Sequence, residues 1–336
     1  MTELRIEAVR GSLVESVHRV SAVVVDAEGH RLATSGDPEL VTFWRSAAKP
    51  FQAIPLIDDG AADRFELSAA DLALICASHS SEPVHLEAID RLLTRIGCSE
   101  SDLACGGHPP LSEDVAREVA RQGIEPTPRW SNCSGNHAGM LALAKHHGWD
   151  TASYFREGHP VQQRLLEEIA EWTGVPASDI VLGVDGCTTV CYGLSLAGMA
   201  LAYARLGSSS LPAARRIRQA MTEHPFIVGG HQRPCSDIMR ASGGAVLAKI
   251  GAEGVYGATV VDAGVGIALK VEDGGMRSAP IALLAILRQL AAHGTIPVAF
   301  GEWMDELEQH ATVPICNTRG EPTGMLRPAG RLHFLA

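Results

Sequence analysis

Val20-Ser21-Ala22-Val23-Val24-Val25, then Asp26-Ala27-Glu28-Gly29, then Arg31-Leu32-Ala33-Thr34-Ser35, reads as a β-hairpin near the start of the chain, over residues 12–35. A β-branched apolar run, an Asp/Gly turn and a return strand are what a hairpin needs. A second hairpin stands near the other end. There Val255 to Val261 and Val265 to Val271 flank Asp262-Ala263-Gly264, and Glu272-Asp273-Gly274-Gly275 follows.

Between the hairpins the signals are helical. Ser68 caps a helix toward Ser78, and Pro83 opens another that ends before Gly97. Ser112 caps a third near Gly123. His137 to His147 is closed by Gly148, and Pro160 to Thr173 by Gly174. Thr188 to Leu206, Leu211 to Glu223 and, past the second hairpin, Ile281 to His293 complete the set. Strands from both chain ends therefore enclose a helical middle. The expected fold class is α+β, an αβα arrangement with one mixed sheet. The sheet part lies at about 1–45 and 240–336 and the helical part at about 46–239, within a single domain of 336 residues.

Hydrophobic residues make up 46% and charged residues 20%, so the chain can bury a core and is not of disordered type. A formal net charge of -11 argues against nucleic acid or an anionic membrane as partner, since both select Lys/Arg stripes. The uncharged stretch Gly186 to Ala204 carries Thr188, Thr189, Gly193, Ser195 and Gly198, which suits a buried helix better than a membrane span. No basic segment with an apolar run opens the chain, so a cytoplasmic location with its 8 cysteines reduced is expected.

Arg45-Ser46-Ala47-Ala48-Lys49-Pro50 carries the sharpest chemistry. If Ser46 and Lys49 share the first turn of a helix, they are i,i+3 neighbours on one face. A serine hydroxyl is a weak nucleophile, and a neutral amine beside it accepts its proton as it attacks a carbonyl. Pro50 fits only near a helix start. The spacing alone occurs by chance as an exposed polar turn, and three further segments bear on it. Cys76-Ala77-Ser78-His79-Ser80-Ser81-Glu82-Pro83 packs hydroxyls and an imidazole at a helix end. Trp130-Ser131-Asn132-Cys133-Ser134-Gly135-Asn136-His137 feeds a helix start. Gly183-Val184-Asp185-Gly186-Cys187-Thr188-Thr189 reads as a strand-to-helix turn. Each is explained equally by capping; each also presents backbone N–H groups to an anion.

Taken together, these four segments resemble asparaginases of the Rhizobium etli type, the asparaginase II family. The resemblance continues through Arg233-Pro234-Cys235-Ser236 and Ala248-Lys249-Ile250-Gly251-Ala252-Glu253-Gly254, in order over about residues 45–254. It implies a fold similar to serine β-lactamases and Ser-x-x-Lys glutaminases, and a homodimer. It also implies two Ser–Lys tandems, Ser46 with Lys49 and Ser78 with Lys249. L-asparagine would be the small-molecule substrate, hydrolysed to aspartate and ammonia through an acyl-enzyme. Arg45 is expected to hold its α-carboxylate, and Asp185 either its α-ammonium or a metal-bound water. Cys133, Cys187, Thr188, Asn136 and His137 would complete the substrate pocket.

The family also carries a zinc site of two cysteines and a lysine, with an aspartate close by. Cys133, Cys187 and Asp185 stand at the matching positions, but Asn136 stands where the family has lysine. An amide is a poor zinc ligand, so zinc is expected to be weak or absent and no cofactor to be required. The rival readings are another Ser-x-x-Lys acyl hydrolase, such as a glutaminase, and a non-catalytic thiolate zinc protein. The sequence contains no Ser-Asp-Asn and no Lys-Thr-Gly, which weighs against the penicillin-binding branch.

Overall fold

The run Val20–Val25 is the buried half of one long strand, whose first half is exposed. The computed structural model describes residues 3–297 and 303–335. Among them, in chain order, are the strands β1 (Arg5–Arg10), β2 (Leu13–Val25), β3 (Arg31–Ser35), β4 (Val41–Phe43), β5 (Val181–Val184) and β6 (Val190–Ser195). These are followed by β7 (Val246–Ile250), β8 (Val255–Val260), β9 (Val265–Val271), β10 (Val313–Cys316), β11 (Pro322–Ala329) and β12 (His333–Phe334). The chain forms two compact units. The first comprises Met1–Ala47, Leu194–Ser208 and Ile238–Ala336, and the second Ala48–Gly193 and Ser209–Asp237.

The first unit holds a nine-stranded sheet in the order β10-β11-β1-β2-β9-β8-β7, with β3 paired to β2 and β12 to β3. Both expected hairpins are present. Ala22 lies opposite Ser35, and Val260 opposite Val265. Every pairing in this sheet is antiparallel, where a mixed sheet was expected. The reason is connectivity: short turns join most neighbours, and a parallel neighbour needs a long crossover. All six residues of β8 are buried, so both faces of the sheet are covered there. The helices Leu196–Ser208 and Ala279–His293 pack on it.

The stretch expected as one helix from Thr188 to Leu206 is instead β6 followed by the helix Leu196–Ser208. Val190, Cys191 and Tyr192 are β-branched or aromatic or small, and they pair with β5. A short apolar run does not by itself distinguish a buried strand from a buried helix.

In the second unit the helix Ser134–His147 is the core element, buried at every residue from Ser134 to Ala144. Two glycines let it approach the helix Ala69–Ile75. A Cβ on Gly135 would fall 2.1 Å from the carbonyl oxygen of Leu74, and one on Gly139 2.7 Å from Ile75 Cγ2. This close packing sets Cys133 beside the chain that leaves the shorter helix at Ala77. Ser68 caps that helix as expected, accepting the N–H of Asp71 at 3.2 Å while Asp71 accepts the N–H of Ser68 at 2.9 Å. No helix among the described residues is long and apolar enough to cross a membrane.

Candidate active site

Ser46 lies in a 3-10 turn, Arg45–Ala48, that runs directly into the short helix Lys49–Gln52 with Pro50 in its first turn. Arg45 enters this turn with φ +53°, a left-handed backbone that costs a residue with a Cβ roughly 1–3 kcal/mol. The turn is anchored within the first unit. Tyr203 donates its hydroxyl to the carbonyl of Ala47 at 2.7 Å and meets Trp44 edge-on, with ring centroids 6.4 Å apart. The end of β7 comes up against the same segment: a Cβ on Gly251 would lie 2.6 Å from the carbonyl oxygen of Trp44. Lys249, two residues before, is fully buried and donates to the carbonyl of Ile250 at 2.7 Å. The first unit thus brings the Ser46 turn and the strand of Lys249 together.

Lys49, three residues after Ser46, belongs to the second unit and is 3% exposed. Its amine donates to the carbonyl of Ala77 at 2.6 Å, to Ser78 Oγ at 3.3 Å and to Cys133 Sγ at 3.2 Å. The three hydrogens of an ammonium therefore meet three acceptors, which is how a buried lysine is tolerated. Lys49 and Ser78, placed in different tandems by the resemblance, are direct neighbours.

Cys133 is drawn well below a thiol's ordinary range. The main cause is a hydrogen bond from Cys187, and the charge and hydrogen bond of Lys49 add to it against burial. Cys187 is pushed the other way by the same bond and by burial. The bond between them thus drives the two thiols in opposite directions, Cys133 toward the thiolate beside Lys49 and Cys187 toward the thiol. Cys187, Asp185 and Thr188 lie in the turn between β5 and β6, so this is a hairpin turn and not the strand-to-helix turn expected. Val184 pairs with Val190 at its neck. Asp185 donates its N–H to the carbonyl of Thr189 at 2.8 Å, and Thr188 its N–H to the carbonyl of Asp185 at 2.9 Å. Thr188 sits at φ +76°, severe for a β-branched residue, and its hydroxyl donates to the carbonyl of Ala104 at 2.9 Å.

Asn136 and His137 start the helix behind this site. The Asn136 amide nitrogen donates to Gln52 Oε1 at 3.2 Å, and among the described residues its buried Oδ1 has no hydrogen-bond partner. Tyr154 accepts the N–H of Ala104 at 2.8 Å, and its hydroxyl is hydrogen-bonded to His137 Nδ1 at 2.6 Å. Burial first, then the charge of Lys49, lowers the His137 pKa to about 3, opposed by the carbonyl of Cys187 and by Asp185.

These residues do not fit a closed zinc site. Asn136 offers only an amide oxygen, a poor zinc ligand, His137 has Nδ1 committed to Tyr154, and Cys133 carries the Lys49 amine. Among the described residues the one group of three donor atoms within 4.8 Å of one another is Asp26, Glu28 and His30, in the first hairpin turn. Four ligands, or three with an open position, are the usual protein share.

Sequence reading alone did not single out Gln52, Tyr154 or the role of His79. Gln52 is i+3 from Lys49 and on the same helical face, a signal that was available. Tyr154 is seventeen residues from its partner His137 with no pattern linking them.

A family model described as L-asparaginase II matches residues 6–328. No curated protein sequence matches the chain. Among solved structures, a β-lactamase from Mycobacterium bovis is similar at 16% identity, over 82% of this chain and 95% of that one, with a TM-score of 0.43. A mutant simvastatin synthase from Aspergillus terreus is similar at 10% identity, over 79% and 88%, with a TM-score of 0.36.

Proposed function

The chain belongs to the L-asparaginase II family, and on that premise we propose that this amidohydrolase cleaves the side-chain amide of L-asparagine through a Ser46–Lys49 pair. Lys49, once it has given up a proton, takes the proton of Ser46 Oγ as that oxygen attacks the amide carbon. Backbone N–H groups hold the oxyanion. The amide nitrogen takes a proton and leaves as ammonia, and water then releases aspartate from the acyl-serine. Ser78 and Lys249 relay protons or orient the nucleophile. Arg45 holds the α-carboxylate and Asp185 the α-ammonium. The reaction needs no metal, and the two thiols with Asp185 shape the pocket.

The observation that carries this reading is the buried Lys49 amine, 3.3 Å from Ser78 Oγ and three residues from Ser46. That hydroxyl is within proton-transfer reach of the amine and lies on one of the segments that the family resemblance rests on. The same contact favours one second reading, in which Ser78 is the acylated residue and Lys49 its base. Ammonia release from L-asparagine, L-glutamine and simple amides, compared in wild type, Ser46→Ala and Ser78→Ala, tests the proposal. Asparagine turnover abolished by Ser46→Ala supports it; no release from any side-chain amide refutes it.

A further inference from the structure

The Lys49 site is braced by a histidine that the chemistry above does not use. His79 follows Ser78 and is fully buried. Its Nδ1 accepts the N–H of Ser81 at 3.2 Å, so the ring proton is on Nε2, which donates to Ser134 Oγ at 2.9 Å. Its backbone N–H donates to the carbonyl of Asn132 at 3.3 Å. One residue therefore grips both neighbours of Cys133: Asn132 through the main chain and Ser134 through the ring. On the other flank, Ser78 donates its N–H to the carbonyl of Val228 at 3.0 Å.

The ring is held from behind as well. It stacks on His85 with centroids 5.1 Å apart and planes at 11°. His85 accepts the N–H of Glu82 on Nδ1 at 3.1 Å, and its Nε2 donates to the carbonyl of Phe226 at 3.2 Å. A second proton on His79 would have to displace the Ser81 N–H, and burial, His85 and the Lys49 charge all oppose it. The imidazole is thus a neutral strut with a fixed tautomer.

We infer that His79 is a positioning residue, a neutral clamp tying the Ser78 segment to the Cys133 turn so that Ser78 Oγ and Cys133 Sγ both stay on the Lys49 amine. What the alignment serves rests on the Ser–Lys reading; the clamp itself does not. Its value for rate follows from the steep dependence of proton transfer and attack on placement, where an error of about 1 Å costs on the order of a hundredfold.

The test compares wild type with His79→Leu, which removes the donor, and His79→Gln, whose amide nitrogen can still reach Ser134. Alkylation of Cys133 by iodoacetamide at neutral pH, read by peptide mass, is independent of any substrate. In His79→Leu its rate should change by about fivefold or more, and His79→Gln should return it toward wild type. With L-asparagine, kcat should fall by about tenfold or more in His79→Leu while KM moves by less than about threefold, with partial rescue by Gln. Thermal unfolding of each variant monitors the fold, and Ser134→Ala, which removes only the acceptor, replaces His79→Leu if that protein does not fold. An alkylation rate within about twofold of wild type in the Leu variant, or no rescue by Gln, overturns the clamp. Absence of ammonia release from wild type would refute the amidase reading and leave the alkylation result to decide the clamp.

Discussion

The amine of Lys49 donates to the sulfur of Cys133 across 3.2 Å. The base of the proposed reaction and the more acidic of the two thiols are therefore one electrostatic unit. Cys133→Ala takes away one of three acceptors from a buried cation, whereas Cys133→Ser leaves an oxygen there. A hydrogen bond to a charged group contributes roughly 1.5–3 kcal/mol, so the Ala variant should unfold at a lower temperature and the Ser variant should lose less. Differential scanning calorimetry of the two decides this; equal stability of Ala, Ser and wild type would show that Cys133 does not support Lys49.

The Cys133–Cys187 pair gives a second test. The Cys187 thiol is the main cause of the low Cys133 pKa. Its removal in Cys187→Ala should move thiolate formation at Cys133 to higher pH, followed by ultraviolet thiolate absorbance across a pH series. A thiolate titration unchanged by Cys187→Ala would mean that Lys49 alone holds the charge.

The buried imidazoles set the acid limit of stability. His137 is lowered to about 3, and His79 and His85 are also lowered, each mainly by burial. All three are neutral when folded, while an unfolded histidine takes up a proton near pH 6.5. Below that value the unfolded state binds more protons, so stability is complete above about pH 6.5 and is lost as pH falls toward the folded pKa values. His137 alone should cost about 2 kcal/mol between pH 6.5 and pH 5. Urea unfolding over that range measures it, and His137→Gln should flatten the slope. A stability that holds constant from pH 7 to pH 5 would contradict the assignment.

Much of this was legible in the sequence because the signals were local. The Val20–Val25 and Val265–Val271 hairpins, the Ser68 cap and the Pro83 and Pro160 helix starts each depend on a few adjacent residues. The four site segments were also legible, each as a run of small polar residues at an element end. What could not be read was pairing at a distance. β1 and β11 pair although their residues are more than three hundred positions apart. Likewise, nothing along the chain says that the Lys49 amine meets Cys133, or that the hydroxyl of Tyr154 meets His137. The β6 strand reads as helix in the sequence because Val190-Cys191-Tyr192 has no polar alternation to mark its period, being buried on both faces.

Asn136 predicts the metal behaviour. An amide nitrogen does not coordinate a metal, so Asn136 offers only its oxygen, a poor zinc donor, where the family resemblance implies an amine. Amidase activity should survive dialysis against a chelator, and zinc should bind weakly. Asn136→Lys should raise zinc affinity, measured by competition with a chromogenic chelator. Stoichiometric zinc in purified wild type that resists chelation, or activity lost on chelation and restored by zinc, would contradict this.

In the proposed reaction Ser46, served by Lys49, attacks the substrate. The most direct measurement is to treat the protein with an electrophilic diazoketone analogue of L-asparagine and map the covalent adduct by peptide mass spectrometry, in wild type and in Lys49→Met. The adduct is expected on Ser46 in wild type, with protection by L-asparagine, and almost none in Lys49→Met. An adduct on Ser78 or Cys133, or labelling of Ser46 that persists without Lys49, would contradict it.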